Sequence, residues 1–222
     1  MDERIQQILR QRHKAATHEG PERLRLLELI QSLAYKDQTC ILTSGKHSDF
    51  YVDCRQVTLF PEAMHLIGSE MIRMMALADA MPDAICGVVL GGLPIAMLTS
   101  ICRHGHRAHA FTLAPSQAAR DAIDQVLPEM PVLAARTIEK KHGTRVPVEG
   151  SANVAKGSSV AVVDDVISSG SSTLSAIHAL EQIGYHVTWV GCLVDRQEGG
   201  KEVLKSKGHR LYSLFTADEV RP

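Results

Sequence analysis

Four apolar residues, Val160-Ala161-Val162-Val163, run into two adjacent carboxylates, Asp164 and Asp165. After Val166 and Ile167 come six small residues: Ser168, Ser169, Gly170, Ser171, Ser172 and Thr173. The apolar run reads as a buried strand that delivers the carboxylates to the edge of a sheet. The hydroxyl-rich turn leads into a helix, where backbone N–H groups and hydroxyls can close around a phosphate. Paired carboxylates suit the diol of a ribose or a hydrated magnesium ion. The glycine spacing and Lys-Ser/Thr ending of a Walker loop are absent. By itself an Asp-Asp pair is an ordinary solvated strand end; the loop behind it makes the pattern specific.

Two further stretches can do chemistry. Gly91-Gly92 follows an apolar run and is by itself an ordinary strand-to-helix turn, yet it also lets backbone approach a ligand that a Cβ would obstruct. Between Arg136 and Arg145, the cations Arg136, Lys140, Lys141 and Arg145 face a single anion, Glu139, for a local charge of about +3 with His142 neutral. No periodicity survives over residues 136–156, which reads as a solvated loop or a functional lid.

These groups need a frame. Residues 2–12 predict a polar amphipathic helix. Pro21 opens a second helix through Leu33, with Leu24, Leu27 and Ile30 on its buried face. Residues 39–42 and 49–52 predict two strands of a hairpin joined by 43–48. Pro61 opens a helix whose Met64, Ile67, Met71 and Met74 line the core. From residue 84 onward, strands over 85–90, 108–113, 132–135, 160–163, 187–194 and 210–215 alternate with helices over 94–103, 116–126, 171–183 and 201–207. That alternation predicts an α/β fold with a mostly parallel sheet covered on both faces, its ligands at the carboxyl ends of the strands.

Composition bounds the rest. The chain has 222 residues, enough for one domain that buries roughly 70% of its unfolded surface without disulfides or metal. Lys plus Arg is 24 against 25 for Asp plus Glu, which excludes a bulk polyanion binder and argues against nucleic acid as a partner. Aromatics are 4%, which weakens any base-stacking platform. Five cysteines, Cys40, Cys54, Cys86, Cys102 and Cys192, with no C-x-x-C pair read as reduced, mostly buried thiols of a cytoplasmic protein. Residues 84–102 carry no charge and approach membrane-spanning length, but Gly91-Gly92-Leu93-Pro94 in their middle breaks a lone membrane helix, so no membrane is expected.

The stretch from Val160 to Thr173 resembles the phosphoribosyl-pyrophosphate signature of type I phosphoribosyltransferases, and four motifs narrow the resemblance to the orotate phosphoribosyltransferases. Leu42-Thr43-Ser44-Gly45-Lys46-His47-Ser48-Asp49-Phe50-Tyr51-Val52-Asp53 is similar to the family's hood hairpin. Gly87-Val88-Val89-Leu90-Gly91-Gly92-Leu93-Pro94 is similar to its pyrophosphate loop. Arg136 with Lys140-Lys141-His142-Gly143 resembles its mobile catalytic loop, and Asp195-Arg196-Gln197 the motif that receives orotate.

The resemblance implies one phosphoribosyltransferase domain, with N-terminal helices and a small hood over about residues 1–60 and an α/β core over about 61–222 carrying a mobile loop at 136–156. It implies transfer of a phosphoribosyl group from phosphoribosyl pyrophosphate to orotate, with Mg2+ bound mainly through the diphosphate. Asp164 and Asp165 are expected on the ribose hydroxyls. Ser168, Ser169, Gly170, Ser171, Ser172 and Thr173 are expected on the 5′-phosphate, and Gly91 and Gly92 on the pyrophosphate. Lys140, His142, Lys141 and Arg136 are expected to close over the leaving group. Arg196 is expected on the orotate carboxylate, with Ser44, Phe50 and Tyr51 in the hood. A homodimer sharing the mobile loop between subunits is also implied. The chain departs from many members at Thr137, Thr43 and Gly91, where they carry lysine, and in an extra segment around 115–131. Two alternative readings remain: a phosphoribosyltransferase for another base, and a phosphoribosyl-pyrophosphate-binding regulator with little catalysis.

Overall fold

The structure is a computed structural model that describes residues 20–38, 40–41, 47–48, 50–136 and 148–222. The helix expected over 2–12 lies outside the described residues. Helix α1 (Pro21–Leu29) begins with proline, whose fixed φ and missing N–H cost nothing in a first turn, and continues as a π-helical turn, Ile30–Ala34. Its buried face is Leu26, Leu29, Ile30 and Ala34; Leu24, expected inside, is exposed.

The hairpin is longer than its apolar pattern indicates. Strand β1 (Tyr35–Lys36) and then β2 (Cys40–Ile41) go up; β3 (His47–Ser48) and β4 (Tyr51–Val52) come back, with β2 on β3 and β1 on β4, both antiparallel. His47 and Ser48, expected in the turn, are therefore in a strand. Backbone pairing decides this, and a polar edge leaves no apolar trace of it. A short helix α2 (Arg55–Thr58) leads to α3 (Pro61–Leu77), which buries Ile67, Met71 and Met74 as expected.

The core sheet then assembles. Strand β5 (Ala84–Val89) is buried along nearly its whole length and leads through Leu90-Gly91 into α4 (Gly92–Leu113). Residues 108–113 are thus helix, not the expected strand. A short apolar run does not distinguish the two periods, and Thr112 donates its hydroxyl to the Ala108 carbonyl as a helical residue can. Helix α4 has 22 residues, about 33 Å, against about 20 Å for the six residues of β5. Its distal half therefore overshoots the amino edge of the sheet. There it meets α5 (Gln117–Val126), which Ser116 caps by accepting from the Ala119 N–H at 3.2 Å. Arg107 is ion-paired with Asp124 and Glu129, and His104 lies 3.0 Å from Glu129. The extra segment is this helical arm.

Strand β6 (Val132–Arg136) follows, then β7 (Val148–Glu149), which pairs antiparallel with it at the sheet edge. The expected loop over 136–156 is accordingly shorter at its far end. Beyond β7, the Tyr185 hydroxyl donates to the Ser151 and Val154 carbonyls at 3.1 Å each. The remaining elements are β8 (Ser159–Ile167), α6 (Ser171–Gln182), β9 (His186–Asp195), α7 (Gly200–Ser206), β10 (Leu211–Thr216) and α8 (Ala217–Val220). The sheet order is β10-β9-β8-β5-β6-β7, parallel except for β7. It is the α/β fold expected, with helices on both faces of a mostly parallel sheet. No helix among the described residues is long and apolar enough to cross a membrane.

Candidate active site

Five parallel strands end on one edge, and the chemistry-bearing residues sit at or just past those ends. Asp164 and Asp165 lie near the end of the central strand β8. Asp164 is buried; its Oδ1 accepts from the Asp165 N–H at 3.0 Å and its Oδ2 from the Thr173 hydroxyl at 3.5 Å. Asp165 Oδ1 accepts from the Val166 N–H at 2.9 Å. Burial pushes the Asp164 carboxyl well above the ordinary carboxylate range, and the charge on Asp165 pushes it further. Burial also raises Asp165, while hydrogen bonds and the positive charge of Arg55 pull it down. Burial thus makes negative charge on this pair costly, and a cation or hydroxyl donors reaching it would offset that cost.

The Gly91-Gly92 turn lies directly against this pair. The Val89–Leu90 peptide before it is cis. A side chain at Gly91 would collide with the Asp165 carboxylate, and one at Gly92 with the Val163 carbonyl and the Asp164 backbone. Gly92 is thus required by the backbone of the neighbouring strand, while at Gly91 only the Asp165 side chain would have to move. Arg136 ends β6 beside Val89, so it flanks the same turn and is exposed.

The hydroxyl loop follows β8. Gly170, at φ 75°, caps α6 in a left-handed conformation that a Cβ would strain. Ser168 accepts from the Gly200 N–H through its carbonyl at 2.8 Å, which ties this loop to the start of α7. Ser169, Ser171 and Ser172 are exposed, and the Ser169 hydroxyl donates to that of Ser171 at 3.2 Å. The first N–H groups of α6 have no intrahelical partner and lie beside these hydroxyls, an arrangement that can receive an anion. Thr173 is different: it is buried and its hydroxyl serves Asp164, so it links the loop to the acid pair.

Phe50 and Arg196 come together from distant parts of the chain, and Tyr51 follows Phe50 as the first residue of β4. Phe50 stacks on Tyr35 with centroids 5.8 Å apart, and the Arg196 guanidinium lies 5.0 Å from the Phe50 centroid. Arg196 is buried, and its Nε is 3.0 Å from Glu198. The Asp195 carboxylate accepts from the Gln197 N–H at 2.8 Å, which holds the turn with Gln197 at φ 57°. Lys140, Lys141, His142 and Ser44 lie outside the described residues, as do Thr43 and Thr137.

Two residues to which the sequence assigns no role, Asp53 and Arg55, lie near the acid pair. Asp53 is buried, with its Oδ1 2.7 Å from Arg55 Nε, and Arg55 is the cation that acts on Asp165. Their i,i+2 spacing is a usable signal, but nothing local says that it faces β8. Cys54 and Cys192 are buried near the same pair, and burial pushes both thiols up, with the aspartates adding to it. They are packing groups, not nucleophiles. Among the described residues, no three His, Cys, Asp or Glu side chains are grouped to hold a metal ion. The two adjacent aspartates supply too few ligands for a protein-built cage, and they fit a magnesium ion that keeps waters and substrate oxygens.

No protein-family profile matches the chain. It is 34% identical over 203 residues to the orotate phosphoribosyltransferase of Sorangium cellulosum, covering 90% of this chain and 94% of that one. It is 36% identical over 204 residues to that of Aquifex aeolicus, covering 90% and 97%. Among solved structures it is similar to the Mycobacterium tuberculosis orotate phosphoribosyltransferase in complex with Fe(III) dicitrate, with TM-score 0.67, 30% identity and coverage of 91% and 100%. It is also similar to the Aeropyrum pernix orotate phosphoribosyltransferase, with TM-score 0.66, 28% identity and coverage of 88% and 95%.

Proposed function

The chain belongs to the orotate phosphoribosyltransferase family, and from that premise we propose how its residues divide the work of the reaction. The reaction transfers the 5-phosphoribosyl group from phosphoribosyl pyrophosphate to orotate, giving orotidine 5′-monophosphate and pyrophosphate. Another base, or a regulator without catalysis, is the less supported reading.

The observation that supports the division of labour is the acid pair of β8, which sits between the Gly91-Gly92 turn and the hydroxyl loop. Asp164 and Asp165 accept from the ribose hydroxyls and lie beneath a ring that becomes cationic as the C1–pyrophosphate bond breaks. Their buried negative charge stabilises that cation more than the neutral substrate. The α6 N-terminus with Ser168 to Thr173 holds the 5′-phosphate, and the N–H groups near Gly91 and Gly92 face the diphosphate. Arg136, Lys140, Lys141 and His142 complement the leaving charge. Arg196 receives the orotate carboxylate beside Phe50 and Tyr51, with Ser44 from the same hood; a guanidinium suits that planar anion.

Magnesium, when bound to the diphosphate, neutralises its charge, with Asp164 and Asp165 as the residues available to its waters. A homodimer is supported by the exposed apolar pair Met97 and Ile101, one turn apart on α4. The thiols of Cys54, Cys86, Cys102 and Cys192 are unbridged, which supports a cytoplasmic site. The test is orotate consumption followed by ultraviolet absorbance with phosphoribosyl pyrophosphate and Mg2+. Turnover should stop on chelation and return with added magnesium. Tight donor binding without orotate consumption would overturn the reading and favour the regulator.

A further inference from the structure

Two guanidiniums share the ring of Phe50. Arg196 lies 5.0 Å from its centroid and Arg221 lies 4.4 Å from it. Converging like charges repel, and contact with an aromatic ring offsets only part of that cost. Arg196 already faces an anion, Glu198, at 3.0 Å. Arg221 makes no ion pair among the described residues. The cluster of Arg196, Glu198 and Arg221 thus carries one net positive charge beside the buried Phe50.

Arg221 is held there by a framework rather than by chance. Thr216 caps α8 in a reciprocal capping box with Glu219. The Gln197 side chain accepts from the Asp218 N–H at 3.1 Å, so the turn that carries Arg196 also anchors α8. Gln31 donates to the carbonyls of Glu219 at 3.3 Å and Arg221 at 3.4 Å, and Arg23 ion-pairs with Glu219. The backbone at 221 is therefore fixed from three sides while its side chain remains exposed.

We propose that Arg221 is a second guanidinium for the carboxylate of the base substrate, acting beside Arg196 at the Phe50 ring. The inference rests on the assignment of orotate to this subsite. The physical reason is charge balance. Arg196 is buried and matched by Glu198, so a second carboxylate brought to it alone would leave one negative charge in excess. Arg221 supplies the missing positive charge from the solvent side, and its planar fork can engage a carboxylate oxygen.

The test is steady-state kinetics of Arg221→Gln and Arg221→Lys beside the unchanged enzyme. Arg221→Gln should raise the KM for orotate about tenfold, the scale of one charge-assisted hydrogen bond, while the KM for phosphoribosyl pyrophosphate moves less than twofold. Arg221→Lys should recover part of that loss because it keeps the charge. An orotate KM within twofold of the unchanged enzyme overturns the inference. So does an equal rise in both KM values, or a lysine variant as impaired as glutamine, since these point to a packing role. If the unchanged enzyme consumes no orotate, the functional reading fails as well, which is a distinguishable result.

Discussion

At the residue scale, Gly91 and Gly92 do different jobs despite being neighbours. A Cβ at Gly91 meets only the Asp165 carboxylate, which is the end of a side chain and can rotate away. We expect Gly91→Ala to cost under about 1 kcal/mol of stability but to displace Asp165 and lower turnover about tenfold or more, measured by thermal melting and the orotate assay. A Cβ at Gly92 meets strand backbone, which cannot yield cheaply. Gly92→Ala should therefore destabilise by roughly 1–3 kcal/mol. Asp164 offers a second test. Its folded carboxyl holds a proton to higher pH than the unfolded one, so stability should fall as pH rises from the ordinary carboxylate range through the raised value. Asp164→Asn removes that penalty. At neutral pH the variant should melt higher, by something on the order of 1 kcal/mol, while turnover drops about 10²-fold. A variant no more stable than the parent at neutral pH would show that burial of this charge is not a cost. The acid pair and its loop were legible in the sequence because strand, carboxylates and turn are contiguous. The Arg55–Asp165 and Arg221–Phe50 proximities were not, because they join residues from separate elements.

At the element scale, α4 departs most from expectation. Residues 108–113 carry no formal charge and their local pattern reads as strand, an expectation the structure overturns. Partners outside the segment decide it. Arg103 donates to the carbonyls of Val126 at 3.3 Å and Pro128 at 3.5 Å, Ser100 donates to that of Met130 at 2.7 Å, and Arg107 lies over Phe111 at 4.6 Å. The Arg107–Phe111 contact, four residues apart, fits a helix running through the segment, while the Arg103 and Ser100 contacts fasten the preceding turns to the end of α5 and the stretch after it. The arm sits beyond the amino edge of the sheet, away from the acid pair at the carboxyl edge. Ala108→Pro, in the middle of that arm, removes a helical hydrogen bond and clashes with the preceding turn, a local cost of about 3 kcal/mol. Amides of α5 should then exchange faster while orotate turnover stays within about threefold. Loss of turnover in a folded variant would tie the arm to the site. The hood hairpin shows the same limit in smaller form: β1 and β4 pair through backbone, and no apolar alternation marks Tyr35 and Lys36.

At the scale of the whole molecule, the near-zero net charge is a sum of opposed local fields. The acid pair of β8 is negative, and Arg136, Arg196 and Arg221 surround the same edge with positive charge. Such a balance suits one small polyanion and gives no bulk attraction to a long one. The exposed row at Met97 and Ile101 bears on assembly. Ile101→Glu should convert a dimer to monomer in light scattering if that row is the contact, and a dimer that persists would place the contact elsewhere.

The strand expected at 108–113 was not there, whereas the five parallel core strands β5, β6, β8, β9 and β10, the position of Asp164-Asp165 at a strand end and the phosphate-type loop behind it were legible in the sequence alone. Each is a pattern among neighbours, and local propensity with burial period is enough to set it. Only the tertiary structure decided the full length of α4, the glycines pressed against Asp165, the hydroxyl of Thr173 turned to Asp164 and the two guanidiniums on Phe50. Those features depend on which distant surfaces pack together, and that is settled by the closing of the core and not by any single stretch of chain.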